Sequence, residues 1–349
     1  MVDSGNKKGT FINLVFVWGR VVLYGFVLPA KCLACRYVFF LLLSLPLMTL
    51  AAPPSASKAD EFVVGAISGD ARKHIEFTQR LADYLAENLD SYHPSQGRVV
   101  VSKDAPTMGK MLKAGQVDLV SETLFTALEL QEKYGAEILL KRWKKGVESY
   151  SSVIFVRQDF DFQSLDDLRG KVIAFEDRFS TSGFFIPAGV LLKKGYKLIE
   201  LDSPNAPVPH DGIGYVFVKE LVTRGNEISI ASWVSRGIVH AGAFSDVNWN
   251  DTEDMPDELR KELVIIYQSQ DFPRSLQLTR TDLEPQIKLI VKRLLLKANQ
   301  TAKGKKALKK YQKTTKFQEL DGKDQEKIAL ALEFKRLLGK HVEGRGVNQ

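Results

Sequence analysis

Residues Ser180-Thr181-Ser182-Gly183 stand between an apolar, strand-like run ending at Phe175 and a helix-like run beginning near Pro187. Hydroxyls and a glycine at a helix start allow two chemistries. In the first, a Ser or Thr side chain accepts a hydrogen bond from one of the unpaired N–H groups of the first helical turn, which is ordinary capping. In the second, hydroxyls and N–H groups converge on an oxyanion where the helix dipole is positive, and Gly183 lets a ligand approach the backbone closely. Capping needs one hydroxyl, and three exceed it. Each hydrogen bond to a charged group contributes about 1.5–3 kcal/mol, and the helix end up to roughly 1–2. Four or five such contacts reach the ~8 kcal/mol of micromolar binding after association costs, with no metal or lysine required. Pro187 lacks an N–H that the helix interior needs, so a short first turn and then a kink are expected.

The elements that would position this turn alternate in type. Asp60–Gly69 is a short apolar strand, followed by a run in which Ile75, Phe77, Leu81, Tyr84, Leu85 and Leu89 approximate helical spacing. "GRVVVSKD" is a strand, and "TMGKMLKAGQVDLVS" is a helix stopped by Gly115 and then a buried strand. Tyr150–Asp159 is β-branched, and "SLDDLRGKVIAFED" is a short helix, with Ser164 and Asp167 in capping positions, followed by a strand. Further on, "PVPHDGIGYVFVKEL" and "ISIASWVSRGIVHAGAFS" complete a second unit, two short strands flank Pro273, and the stretch from Asp282 to Leu338 is mostly helical. Such alternation specifies α/β layers.

At 349 residues the chain is long enough for two lobes or domains. Its first 52 residues read as a leader. Val38–Ala52 is an apolar run closed by small residues, with Lys31 and Arg36 as its basic start and cleavage expected near Ala51 or Ala52. Upstream, the apolar run broken by Arg20 suggests that residues 1–35 are an extension ahead of the true start; an uncleaved membrane anchor is the alternative. Lipidation at Cys35 is a weaker one, because Cys32 stands where a lipobox wants an aliphatic residue. Both cysteines fall in this leader, so the mature chain needs no disulfide and the C-x-x-C spacing does not argue for a redox site. Five of the Lys and Arg and one acid fall there too, so the net charge of +7 drops to +3, and nucleic-acid binding loses its compositional support. Between Lys288 and Lys316 stand eleven Lys or Arg and no acid, either a docking face for acidic partners or lipid headgroups or a solvated helical surface.

The chain resembles the periplasmic phosphate/phosphite/phosphonate-binding proteins of ABC importers over most of Asp60–Leu338. The resemblance is carried by "GQVDLVS", "LLKRWKKGVESYSSVIFVR", "SLDDLRGKVIAFEDRFSTSGFFIPAGVLLKKG", "IGYVFV" and "TTKFQEL". It implies an α/β two-lobed type II periplasmic binding protein fold, each lobe a mixed sheet flanked by helices, with the ligand cleft between them. Residues 60–153 would begin the first lobe, 154–264 form the second and 265–349 complete the first with the C-terminal helices, with crossings near Ile154–Arg157 and Ile265–Gln268. By the same carry-over Ser180, Thr181, Ser182 and Gly183 hold the anion's oxygens, Tyr150 supplies an aromatic wall, and Ser121 and Thr123 are cleft residues. Family members that take aminoalkyl phosphonates present acids to the amine; here Asn226-Glu227 and Val239-His240 stand at the corresponding motif, which argues against an ammonium group. His240 is expected as a strand histidine. Of Trp143, Trp233 and Trp249, near the cleft or lobe segments, Trp233 is expected to be core.

The implied function is periplasmic capture of a small phosphorus oxyanion by a monomer and its delivery to a membrane permease, with no cofactor, metal or nucleic acid. A sensor of the same fold is the alternative. A hydrolase fits less well, because the chain has five histidines and lacks a G-x-S-x-G elbow or a metal-ligand signature.

Overall fold

In the computed structural model, strand β1 (Glu61–Ile67) is the parallel centre of the first sheet, flanked by β2 (Gln96–Ser102) and β3 (Leu119–Glu122). Five consecutive residues of β1 are buried because helices cover both faces of the sheet, so strict alternation is not required. Between these strands run α1 (Ala71–Ala86), capped by Asp70, and α2 (Ala105–Lys113), capped by Asp104. After α3 (Leu124–Tyr134) the chain forms β4 (Glu137–Lys144) and then crosses to the second lobe. The structure describes residues 61–89, 96–223 and 225–346; the expected leader and its cysteines lie outside them.

The crossing is a two-residue strand, β5 (Ser149–Tyr150). The second lobe follows as β6 (Ser152–Arg157), β7 (Val172–Phe175), α4 (Ile186–Lys193), β8 (Lys197–Glu200), β9 (Gly212–Phe217), α5 (Glu227–Ser235), β10 (Ala241–Ser245) and β11 (Leu263–Gln268). Its sheet order is β8-β9-β7-β10-β6-β11, parallel through β10, with β6 antiparallel to both its neighbours. The return passes through β12 (Phe272–Pro273), which pairs antiparallel with β5. β13 (Leu276–Thr279) inserts between β3 and β4, and β14 (Thr314–Gln318) adds the edge, giving β2-β1-β3-β13-β4-β14. Both expected crossings therefore shift outward: Ile154–Arg157 and Ile265–Gln268 lie within strands of the second sheet, and the connectors are β5 and β12. Two-residue strands carry no periodicity that a sequence could display, which is why the longer β-branched runs attracted the assignment.

The C-terminal helices do not all return to the first lobe. α6 (Pro285–Lys297) and α7 (Ala302–Lys310) pack there, with Val291, Leu295, Ala307 and Leu308 in one cluster with Leu81 and Leu85 of α1. α8 (Gly322–Gly346) instead reaches α4 of the second lobe. A side chain at Gly189 would come within 2.3 Å of the Phe334 ring, so the bare glycine backbone is the notch that receives it. Lys193 pairs with Glu333 at 2.7 Å from α4, and Lys335 pairs with Glu132 of α3, so α8 touches both lobes. On the lysine-rich stretch, Lys288, Lys292, Lys303 and Lys310 meet Glu137, Glu319, Glu87 and Glu76, and Lys316 lies over the Trp143 ring.

The first sheet is pinned by one charged pair. Asp118 accepts from the Val63 N–H at 2.8 Å and from Arg280 Nε at 2.8 Å, joining β1 to the chain beyond β13. Removing Asp118 orphans the buried Val63 N–H and takes away one of the two carboxylates that hold Arg280, Asp282 being the other at 2.8 Å, at a cost of about 1–3 kcal/mol. Asp118→Ala is expected to lose stability on that scale in urea unfolding, and a midpoint shift within error would show that the pair is dispensable.

Candidate functional site

The turn that begins at Ser180 runs on into the helix that carries Pro187, with helical backbone at Phe185 and Ile186 where a kink was expected. Thr181–Phe185 is a single π turn, with Phe185 N–H donating to the Ser180 carbonyl at 2.9 Å and Ile186 N–H to that of Thr181. α4 then starts at Ile186 with Pro187 in its first turn. Having no N–H, Pro187 leaves the Gly183 carbonyl free, and the Glu176 N–H donates to it at 3.2 Å, tying the turn back to β7.

The three hydroxyls have separate tasks. Ser180 Oγ caps the turn, accepting from Gly183 N–H at 3.0 Å. Thr181, 2% exposed, accepts from the Phe125 N–H of α3 at 3.1 Å, so a hydroxyl of the second lobe meets a helix N-terminus of the first. Ser182 and Thr181 lie within hydrogen-bonding reach of the Tyr150 hydroxyl, which burial pushes up to about 12. Among the described residues, the N–H groups of Thr181 and Ser182 have no backbone acceptor and remain available to a ligand. Gly183 corrects its expected role. It does not line the cavity, and a side chain there would come within 2.8 Å of Ser180 Oγ and 2.9 Å of Glu176 Cβ, so its smallness serves the turn itself.

Ser180, Thr181, Ser182, Tyr150, Ser121 and Thr123 line one cavity of about 540 Å³ between the lobes. Ser121 Oγ lies 3.1 Å from Ser275 Oγ, and Thr123 is the N-cap residue of α3, without a side-chain bond to the helix. Sequence reasoning missed the charges that share this space. Arg142 and Lys144, two apart on β4, face the cavity, while Lys141 of the same strand turns away to Asp324 at 2.8 Å. Arg142 donates to Ser275 Oγ at 3.1 Å and to Gln312 at 3.2 Å and stacks on Tyr311 at 4.8 Å. Arg274, just beyond β12, joins them and donates to the Lys144 carbonyl at 2.9 Å. The i, i+2 spacing in "KRWKK" is a legible signal for two cations on one strand face; nothing local marks Arg274. One lysine and two arginines therefore line the cavity beside the hydroxyls.

Burial, reinforced by Arg142 and Arg274, lowers Lys144 to about 8. Burial raises Glu122, which also lines the cavity, to about 7 against the pull of Arg142 and Lys144, and its carboxylate accepts from the Thr123 and Ile67 N–H groups. Glu227 lines the cavity from α5 and is raised to about 7 by burial, with Glu176 adding repulsion. An acid therefore does face the cavity from the Asn226-Glu227 motif. His240 sits away from the cavity, its Nδ1 accepting from Val172 N–H at 3.2 Å. Trp233 and Trp249 pack on the second lobe's core, and Trp143 donates to Gln318 at 3.0 Å.

The family described as "ABC transporter, phosphonate, periplasmic substrate-binding protein" matches residues 66–325. The protein XAC2383 from Xanthomonas citri, solved bound to a chloride ion, is 30% identical over 80% of this chain and 99% of its own, with a TM-score of 0.72. Solved bound to ATP, it is 29% identical over 80% of this chain and 98% of its own, with a TM-score of 0.73. PhnD1 from Prochlorococcus marinus, in complex with methylphosphonate, is 17% identical over 81% of this chain and 99% of its own, with a TM-score of 0.56, a likeness of fold.

Proposed function

We infer the function of this protein from its family: the chain belongs to the periplasmic substrate-binding proteins of phosphonate ABC transporters and has their two-lobed type II α/β fold. Within that family it binds a small phosphorus oxyanion, a phosphate, phosphite or phosphonate, in the periplasm and presents it to a membrane permease without chemical turnover. One observation carries the reading. The free N–H groups of the Thr181–Ser182 turn and the cations Arg142, Lys144 and Arg274 converge on a single cavity from both lobes. The chloride and ATP of the Xanthomonas relative are in keeping with an anion site. The β5–β12 ribbon is the hinge of this reading, since among the described residues it carries the chain from the first sheet to the second and back. Among the described residues no helix is long and apolar enough to cross a membrane.

Calorimetric titration with phosphate, phosphite, methylphosphonate, aminoethylphosphonate and sulfate tests the assignment. Micromolar or tighter binding of one phosphorus anion, with no product formed, is the expected result. Aminoethylphosphonate belongs in the panel because Glu227 offers its ammonium group a partner. Silence across the panel would leave the turn as a cap and the fold with another ligand.

The titrating groups add a second test. A bound anion favours the charged form of Lys144 and the neutral form of Glu122, so both groups bind protons more tightly when the cavity is filled. Since their values lie near 8 and 7, binding at pH 7.5 is expected to take up protons and to weaken as pH rises toward 9. Enthalpies measured in buffers of different ionisation heat read this directly; buffer-independent heats would remove both groups from the anion's surroundings. The fold itself responds with a definite sign. Between the ordinary 4.5 and about 7, Glu122 and Glu227 hold protons that the unfolded chain has released, so ligand-free stability falls as pH rises through that interval.

A further inference from the structure

We propose that Phe179 and His74 form a subsite for a planar aromatic substituent on the bound oxyanion, so that the site selects an aromatic phosphonate or phosphate ester over a small alkyl one. This rests on the anion site argued above. Phe179 immediately precedes the anion-binding turn, lines the cavity, and at 57% exposure is the most exposed of the large apolar side chains among the described residues.

The exposure of Phe179 does not come from a loose loop. Its N–H donates to Asp177 Oδ1 at 2.8 Å, and Lys219 holds Asp177 at 2.7 Å. On the same side Arg178 is fixed by Glu220 at 2.7 Å and lies over the Phe217 ring at 4.6 Å. The backbone is therefore anchored while the ring is left in solvent, at a cost that burial against a ligand would reverse. His74, in the first turn of α1, lines the same cavity from the other lobe. Burial and the nearby Lys144 lower it from its ordinary value, so at neutral pH it is an uncharged ring able to stack. A flat group entering between the lobes would meet a ring from each. The space agrees: about 540 Å³ lies in the range of roughly 300–1,000 Å³ that encloses drug-sized molecules, far more than a lone tetrahedral oxyanion fills.

The test compares phenylphosphonate with methylphosphonate by calorimetry on the purified protein and on Phe179→Ala, Phe179→Trp and His74→Ala. Stacking on one ring or two predicts that phenylphosphonate binds on the order of tenfold tighter than methylphosphonate. Phe179→Ala should remove that preference and leave methylphosphonate affinity unchanged, and Phe179→Trp should keep it. Being solvent-exposed, Phe179 can be truncated without disturbing the core; the wild-type comparison decides the matter even if a variant folds poorly. Equal or weaker binding of phenylphosphonate, or a preference that survives both alanine variants, overturns the subsite while the anion site stands. Binding of neither phosphonate overturns the subsite, and the anion site falls with it only if phosphate and phosphite are silent as well.

Discussion

Arg142→Met is expected to lower affinity for the phosphorus anion by a factor of roughly 10²–10³, about 3–4 kcal/mol, while leaving the ligand-free protein as stable as before or more so. The loss has two sources. The guanidinium, only 4% exposed and aimed by Ser275, Gln312 and the Tyr311 ring, supplies charge-assisted hydrogen bonds from a buried position where they are strong. It also offsets Glu122, whose carboxylate would otherwise repel the ligand. The expected stability has the opposite sign because Arg142 and Arg274 both work against the charge of Lys144. Taking one cation out of that cluster relieves repulsion that Glu122 offsets only in part and a bound anion would compensate, as sites built for binding hold such strain. Methionine keeps the apolar stem of the arginine without the guanidinium. Calorimetry and thermal unfolding together read the split; affinity that stays put, or a protein that melts much earlier, would make Arg142 a structural residue.

The double variant Thr181→Ala with Ser182→Ala is expected to cost about 2–5 kcal/mol of binding through two lost charge-assisted bonds. Thr181 has a second effect, because its hydroxyl accepts from the α3 N–H of Phe125 and so helps to draw the lobes together. Ser180→Ala is the contrasting variant. It removes the cap on Gly183 N–H and is expected to cost about 1 kcal/mol of stability with a smaller effect on affinity. Equal losses of affinity at all three positions would mean that the turn acts as one structural unit and that the hydroxyls do not divide the work.

Much of the fold was legible. The β1, β7 and β9 runs are apolar and bounded by turn residues, and the α1 spacing and its Asp70 cap are local features. Ser164 and Asp167 form the expected capping box on a 3-10 turn. The crossings were not legible, since β5 and β12 are strands only because they pair with each other across more than a hundred residues. Nor was the path of α8 to the second lobe, which depends on Phe334 meeting Gly189.

The candidate site divides in the same way. By itself the sequence determined the Ser180–Gly183 turn, its position at a helix start and the missing N–H at Pro187, because caps, missing N–H groups and periodicity are properties of neighbouring residues. Tertiary structure alone decided that Arg142 and Lys144 of β4, Arg274 beyond β12 and Glu227 of α5 would face that turn. Burying the apolar faces of two sheets and the helices around them fixes which strand ends meet, and the hydrogen bond of Arg142 to Ser275 spans 133 residues. No local pattern encodes a contact of that range; it follows from how the whole chain hides its apolar surface.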